Sequence, residues 1–215
     1  CLCMKSAFET IKIWLNNLRF ALAAKVLRAR IQRALAHTSA YRRYLEAQIA
    51  KSFKQKERRA ARIPAFVGVV SHALPVGERG SLLAVGCRSG YEIDELLRAG
   101  FAPVAGIDLF SADPRITVMD MHRMRFPDAQ FDVLYSCHSL EHNFNRKAAL
   151  REFARVVRSG GFFAVEVPVR FTPSESDRDD FGSAEGLRAA FAPYLREVLL
   201  SEEFTDPESG GTSAR

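Results

Sequence analysis

The chain has little cysteine, no long apolar run and no internal repeat, and each lack removes a class of protein. Cys1, Cys3, Cys87 and Cys137 form no Cys-x-x-Cys pair, so neither a disulfide framework nor a zinc site is expected. A reducing, cytoplasmic setting fits that usage. No apolar stretch approaches the roughly 18 residues that a membrane-spanning helix needs. Acidic residues are scarce at one end: residues 1–62 hold 15 Lys or Arg against Glu9, Glu46 and Glu57, a net of +12. The remaining residues hold 16 basic and 22 acidic side chains, a net of −6. The basic character of the chain (pI about 9.4) therefore belongs to its first 62 residues.

What is present divides into three parts: a basic helical extension over 1–62, a main domain over 63–205 and a short end over 206–215. In the first part Ile11, Leu15, Leu18, Leu22 and Val26 recur at helical spacing, with Phe8 and Trp14 beside them. Tyr41, Tyr44, Leu45, Ile49 and Phe53 continue a second helical pattern. After the run Lys51–Arg62, Pro64 marks a break or the first turn of a new helix. Beyond residue 80, strand and helix patterns alternate. The spacing predicts strands at 81–85, 103–107, 115–119, 131–136 and 161–167, helices at 91–99 and 146–158, then a weaker helix at 183–194 and a strand near 195–200. Several of these strands are near-continuous apolar runs, which predicts a mostly parallel sheet covered by helices on both faces. The end 206–215 is polar and glycine-containing and reads as a flexible tail rather than a seventh strand.

The chemistry concentrates where predicted strands end. The run Leu82–Val85 stops in a loop with Gly86 and Gly90, and the next apolar run stops at Asp108, 22 positions after Gly86. A glycine turn lets a ligand approach the backbone closely, and an acid at the end of the second strand can accept hydrogen bonds from a ribose diol. The pattern predicts a nucleoside site. It is a poor nicotinamide fingerprint, because Arg88 and Tyr91 stand where the second and third glycines belong. Asp120 follows the third predicted strand and suits an adenine amino group, with Met121 offering an apolar contact. Ser136-Cys137-His138-Ser139-Leu140-Glu141-His142 leaves the fourth strand, again at a carboxyl end where ligands sit in open α/β sheets.

Taken in order, VGCRSG, GIDLF, VMDMHRMRFPDAQFDVLYSCHSLEH and RVVRSGGFFAVEVP resemble the class I S-adenosylmethionine-dependent methyltransferases of the type 11 subgroup, over residues 66–200 or so. The resemblance implies a Rossmann-like fold with S-adenosylmethionine as cofactor and S-adenosylhomocysteine as product. It implies that Gly86, Cys87, Arg88, Ser89 and Gly90 wrap the methionine end and that Asp108 holds the ribose. Leu109 would pack on the adenine, Asp120 and Met121 would contact it, and Ser136 and Cys137 would lie beside the sulfonium. Leu140-Glu141-His142 matches a family signature. Two positions depart from the pattern. The acid two residues before the first glycine, which helps hold the cofactor's ammonium, is Ala84 here, and the central glycine of the loop is Arg88. Losing the charged partner costs about 1.5–3 kcal/mol, and an Arg88 pairing with the methionine carboxylate would offset it.

An oxygen or nitrogen acceptor on a small molecule is expected, with His138 and His142 as candidate proton acceptors. No Asn-Pro-Pro-Tyr or Asp-Pro-Pro-Tyr follows the fourth strand, which disfavours the amino groups of nucleic-acid bases. Ser136 rather than proline precedes Cys137, unlike the nucleophilic cysteine of 5-methylcytosine enzymes. Three readings of the basic extension stand open. It packs on the domain or on its copy in a homodimer, it lies on an anionic membrane surface, or, third, it contributes unspecific nucleic-acid affinity. A methyltransferase-like scaffold without catalysis remains the alternative from another class.

Overall fold

A computed structural model describes residues 39–54, 59–111 and 113–215. The stripe from Phe8 to Val26 lies outside them, as does the core of the basic run. The described elements are α1 (Ser39–Lys54), α2 (Arg62–Ala73), β1 (Leu82–Val85), α3 (Gly90–Arg98), β2 (Val104–Asp108), β3 (Ile116–Val118), β4 (Phe131–Cys137), α4 (Arg146–Val156), β5 (Val157–Pro168), α5 (Ala184–Phe191), β6 (Glu203–Thr205) and β7 (Thr212–Ala214).

One sheet runs in the order β3-β2-β1-β4-β5-β7-β6. β1 to β5 are parallel, and β7 is antiparallel to both β5 and β6. Alternation along each strand feeds two cores. Leu83, Val85 and Leu134 pack with α4 and α5 on one face. Leu82, Ala84, Val133 and Tyr135 pack with α2 and α3 on the other. That double covering is why β1 is buried at every position. Pro64 sits in the first turn of α2, where its missing N–H is not needed. None of the described helices is long and apolar enough to cross a membrane.

The carboxyl-terminal end differs from expectation. Residues 195–200 are not a strand; the sixth strand is Glu203–Thr205, and a seventh, three residues long, is present within 206–215. The reason is turn chemistry. Gly210 takes φ +70°, the Asp206 amide donates to Gly211 O at 2.8 Å, and the Asp206 carboxylate accepts from the Glu208 amide and Ser209 Oγ. Polar, glycine-rich composition here closes a hairpin. Arg62 of α2 then anchors it through ion pairs to Asp206 at 2.9 Å and Glu208 at 3.2 Å. A second difference lies at Ser159-Gly160-Gly161. The helix ends at Val156, and these residues form a bulge inside β5, where the register with β4 slips and Gly160 takes φ +74°.

Candidate functional site

The order of the strands reverses between β1 and β4, so a crevice opens at their carboxyl ends. Gly86 leaves β1 there with φ +80°, and a Cβ on it would collide with the Ser139 side chain; only glycine fits on both counts. Ser139 Oγ donates to Val85 O at 2.8 Å and meets Ser136 Oγ at 2.8 Å, tying the two strand ends together. Cys87 lines the crevice as well, with its amide and thiol both directed at Ile107 O. Burial pushes the Cys87 and Cys137 thiols well up, as for inert core cysteines.

Asp108 ends β2 on the same rim. Its carboxylate accepts from the Arg88 amide at 3.0 Å and the Phe110 amide at 2.9 Å. Burial raises its pKa, against the pull of the Arg88 charge. Loop and acid thus hold each other in place, the loop through its own backbone.

On the far side of Asp108, α1 covers the crevice. Tyr44, Gln48 and Ser52 join Asp108, Leu109, Met121 and His142 around a cavity of about 40 Å³, well below the roughly 300 Å³ of ordinary ligand pockets. Tyr44 is 1% exposed, its hydroxyl has no hydrogen-bond partner among the described residues, and burial, then the Asp108 charge, pushes its pKa up. Leu109, expected against an adenine, lines this cavity and packs against the cluster of Tyr44, Leu45, Ile49 and Phe110. Asp120 is likewise engaged within the protein. Tyr41 OH donates to it, the His122 amide donates at 2.9 Å, and His122 Nδ1 lies at 2.6 Å. His122 Nε2 accepts from the Phe144 amide at 2.9 Å, which fixes the tautomer and latches the loop after β3 to the segment before α4. Met121 does line the crevice, while Asp120 faces Tyr41; an adenine contact there requires α1 to move.

On the near side lies a cavity of about 210 Å³, lined among others by Gly86, Arg88, Ser89, Glu92, Glu141 and His142. The two candidate histidines differ within it. His138, in the left-handed region at φ +47°, has Nδ1 at 2.6 Å from the Arg62 guanidinium. Arginine only donates, so Nδ1 accepts and the proton sits on Nε2, which faces Ser213 Oγ at 3.3 Å. Burial and the Arg62 charge push its pKa down to about 3. Its accepting nitrogen is taken, which argues against a proton-acceptor role. His142 is the reverse. Nδ1 lies 2.8 Å from Ser176 O, a pure acceptor, so Nδ1 carries the proton and Nε2 presents its lone pair. Burial and Lys51 hold its pKa at about 3. Its Nε2 is 3.7 Å from Glu141 Oε1. Glu141 is 2% exposed, Oε2 has no hydrogen-bond partner among the described residues, and burial pushes the carboxyl up to about 8. Glu141, His142 and Asp177 bring three possible metal ligands within 4.8 Å of one another. Lys51 Nζ, 2.7 Å from Asp177, already supplies a positive charge there.

The crevice brings together Gly86, Cys87, Arg88, Ser89, Asp108, Leu109, Met121, Cys137, His138 and His142, while Asp120 is held by Tyr41. Sequence reasoning missed Tyr44, Gln48, Arg62, Glu92 and Asp177. The helical pattern of Tyr41, Tyr44 and Ile49 signalled a packed face without saying what it packs on.

Residues 83–165 match the family described as Methyltransferase domain. A probable S-adenosylmethionine-dependent methyltransferase of Mycobacterium tuberculosis is 29% identical over 134 residues, 58% of this chain and 48% of that protein. The 27-O-demethylrifamycin SV methyltransferase of Amycolatopsis mediterranei is 31% identical over 108 residues, 43% of this chain and 40% of that protein. The chain thus spans about half, or less, of the length of these curated relatives. Among solved structures, a geranyl diphosphate methyltransferase in complex with S-adenosylmethionine superposes with a TM-score of 0.54 at 19% identity, covering 68% of this chain and 69% of that one. At that identity the likeness speaks for the fold alone.

Proposed function

We propose that this chain, whose residues 83–165 match a methyltransferase domain, is an S-adenosylmethionine-dependent enzyme that methylates an oxygen or nitrogen of a small molecule. The observation that carries the reading is the convergence of Gly86, Asp108 and His142 on one crevice at the topological switch point. S-adenosylmethionine supplies a methyl group already activated by a sulfonium. The donor set suits it: Gly86 lets it approach the backbone, Asp108 suits the ribose hydroxyls, and Arg88 suits the carboxylate. Space on the nucleoside side must come from Tyr44 and Gln48 withdrawing with α1.

The chain's own work is positioning and proton removal. Of the two histidines, His142 is the proton acceptor in this reading, since Ser176 O fixes its tautomer and leaves Nε2 unprotonated; burial and Lys51 make it a weak base, which an acceptor bound there must offset. An acceptor hydroxyl accords with the O-methylating relative from Amycolatopsis. Calorimetry with S-adenosylmethionine and S-adenosylhomocysteine tests the reading, and absence of heat at millimolar ligand overturns it. Asp108→Ala is expected to weaken binding at least about tenfold, as loss of a charged hydrogen-bond acceptor does.

The alternative of a non-catalytic scaffold gains one argument and loses one. It gains the closed cavity under Tyr44 and loses the missing seventh strand. We propose likewise a cytoplasmic location and a basic extension, residues 1–62, that meets a second copy of the chain or an anionic membrane surface; vesicle binding that requires residues 1–60 would favour the membrane.

A further inference from the structure

Ala84 leaves the cofactor's ammonium without the acid that the family carries on β1. We propose that Glu92, in the first turn of α3, is the carboxylate that binds this ammonium. The proposal rests on the reading of the site as one for S-adenosylmethionine.

The sequence Ser89-Gly90-Tyr91-Glu92 spells a capping box, in which a glutamate reaches back to the start of its own helix. The structure does not form it. The Ser89 side chain makes no cap bond, and Glu92 is turned inward, 7% exposed, onto the 210 Å³ cavity beside Gly86, Cys87, Arg88 and Ser89. Its charge is felt by Cys87, Tyr135 and Cys137. These pack in one cluster with Ala84, and Tyr135 is the direct strand partner of Ala84. Glu92 therefore serves from the helix the neighbourhood that an acid at position 84 would serve from the strand. The charges also leave room for a cation. Arg88 is the guanidinium acting on both Glu92 and Asp108, and the Asp108 charge disfavours ionised Glu92. Burial pushes the Glu92 carboxyl up to about 8; an ammonium beside it would restore the ionised form. An anion at the amino end of α3 is favoured by the helix dipole.

The test uses the whole chain and two ligands, S-adenosylmethionine and 5′-methylthioadenosine, which keeps the nucleoside and lacks the amino-acid end. In Glu92→Gln, S-adenosylmethionine affinity is expected to fall roughly tenfold to a hundredfold while methylthioadenosine affinity stays within about twofold. Melting temperature is expected to hold, since glutamine also serves the third position of a helix. Glu141→Gln, the other buried acid of the cavity, should leave the ratio of the two affinities unchanged. Unaltered S-adenosylmethionine binding, equal losses for both ligands, or a selective loss in Glu141→Gln instead would each overturn the assignment. A wild-type chain that binds neither ligand would overturn the cofactor reading itself.

Discussion

Arg88 divides two halves of one crevice that are built differently. On the side of Glu92, Glu141 and His142 there is open volume and a surplus of buried, poorly compensated acid. On the side of Asp108 and Met121 the volume is nearly gone, and the side chains of α1 fill it with aromatic surface. The first half is preorganised for a charged ligand. The second is closed by the protein's own helix, so binding there must displace contacts the chain already makes. Binding free energy from one half is thus set against opening the other.

The two histidines offer the largest expected effect. If the open half carries the chemistry, His142→Asn should lower kcat by about 10²–10⁴ with an oxygen acceptor, the range for losing a general base. His138→Asn should lower kcat far less, because its accepting nitrogen is already bonded to Arg62. Equal losses in the two variants would erase the distinction drawn from their tautomers. Next comes Arg62→Ala. It strips Asp206, 1% exposed, of its ion-pair partner, and unpairing a buried charge costs about 3–5 kcal/mol. Urea denaturation should record that loss.

Tyr44 probes the closed half. Tyr44→Ala should destabilise the fold by about 3–5 kcal/mol, as for other large-to-small aromatic substitutions in cores, yet raise the affinity for methylthioadenosine. Tyr44→Phe should be neutral or stabilising by about 1 kcal/mol, because the hydroxyl it removes is buried without a hydrogen-bond partner among the described residues. If Tyr44→Ala binds the nucleoside no better than wild type, α1 is not what closes the site.

In both halves, what was legible from sequence was the residues at strand ends: Gly86 and Arg88 between them, and Asp108 and Met121 in the closed half. Strand ends, a glycine loop and an acid at the second strand are local signals, and a parallel sheet converts them into proximity. The closed half depends on which surface a helix chooses, and Tyr41, Tyr44 and Ile49 carry only their own periodicity. Glu92 was hidden for the opposite reason: its local signal, a capping box, is satisfied in sequence and declined in structure. The end of the chain failed similarly, since glycine and serine in 209–213 read as disorder until Asp206 and Arg62 supply the partners that make them a turn.

The most gradual effect is pH dependence of stability, from Glu92 and Glu141 in the open half and from Glu166 on β5 beside Cys137. Burial raises three carboxyls, Glu92 and Glu141 to about 8 and Glu166 to about 7. Each keeps its proton in the folded chain where the unfolded chain has lost it, so its stabilising share is complete below about pH 4.5 and is lost as pH rises through the folded value. The two histidines act oppositely. Held near 3 when folded, they take up protons in the unfolded chain below about 6.5, so they lower stability as pH falls. As pH rises from 6.5 to 8 the histidines of the unfolded chain lose their remaining protons, and the three carboxyls, still protonated when folded, give the larger slope. The melting temperature should therefore fall from pH 6.5 to 8, with a slope of at most about 1.4 kcal/mol per pH unit for each group. Glu141→Gln should flatten it. A flat wild-type profile across that window would mean that these acids are solvated or already paired with cations, and the contrast between the two halves of the crevice would lose its electrostatic side.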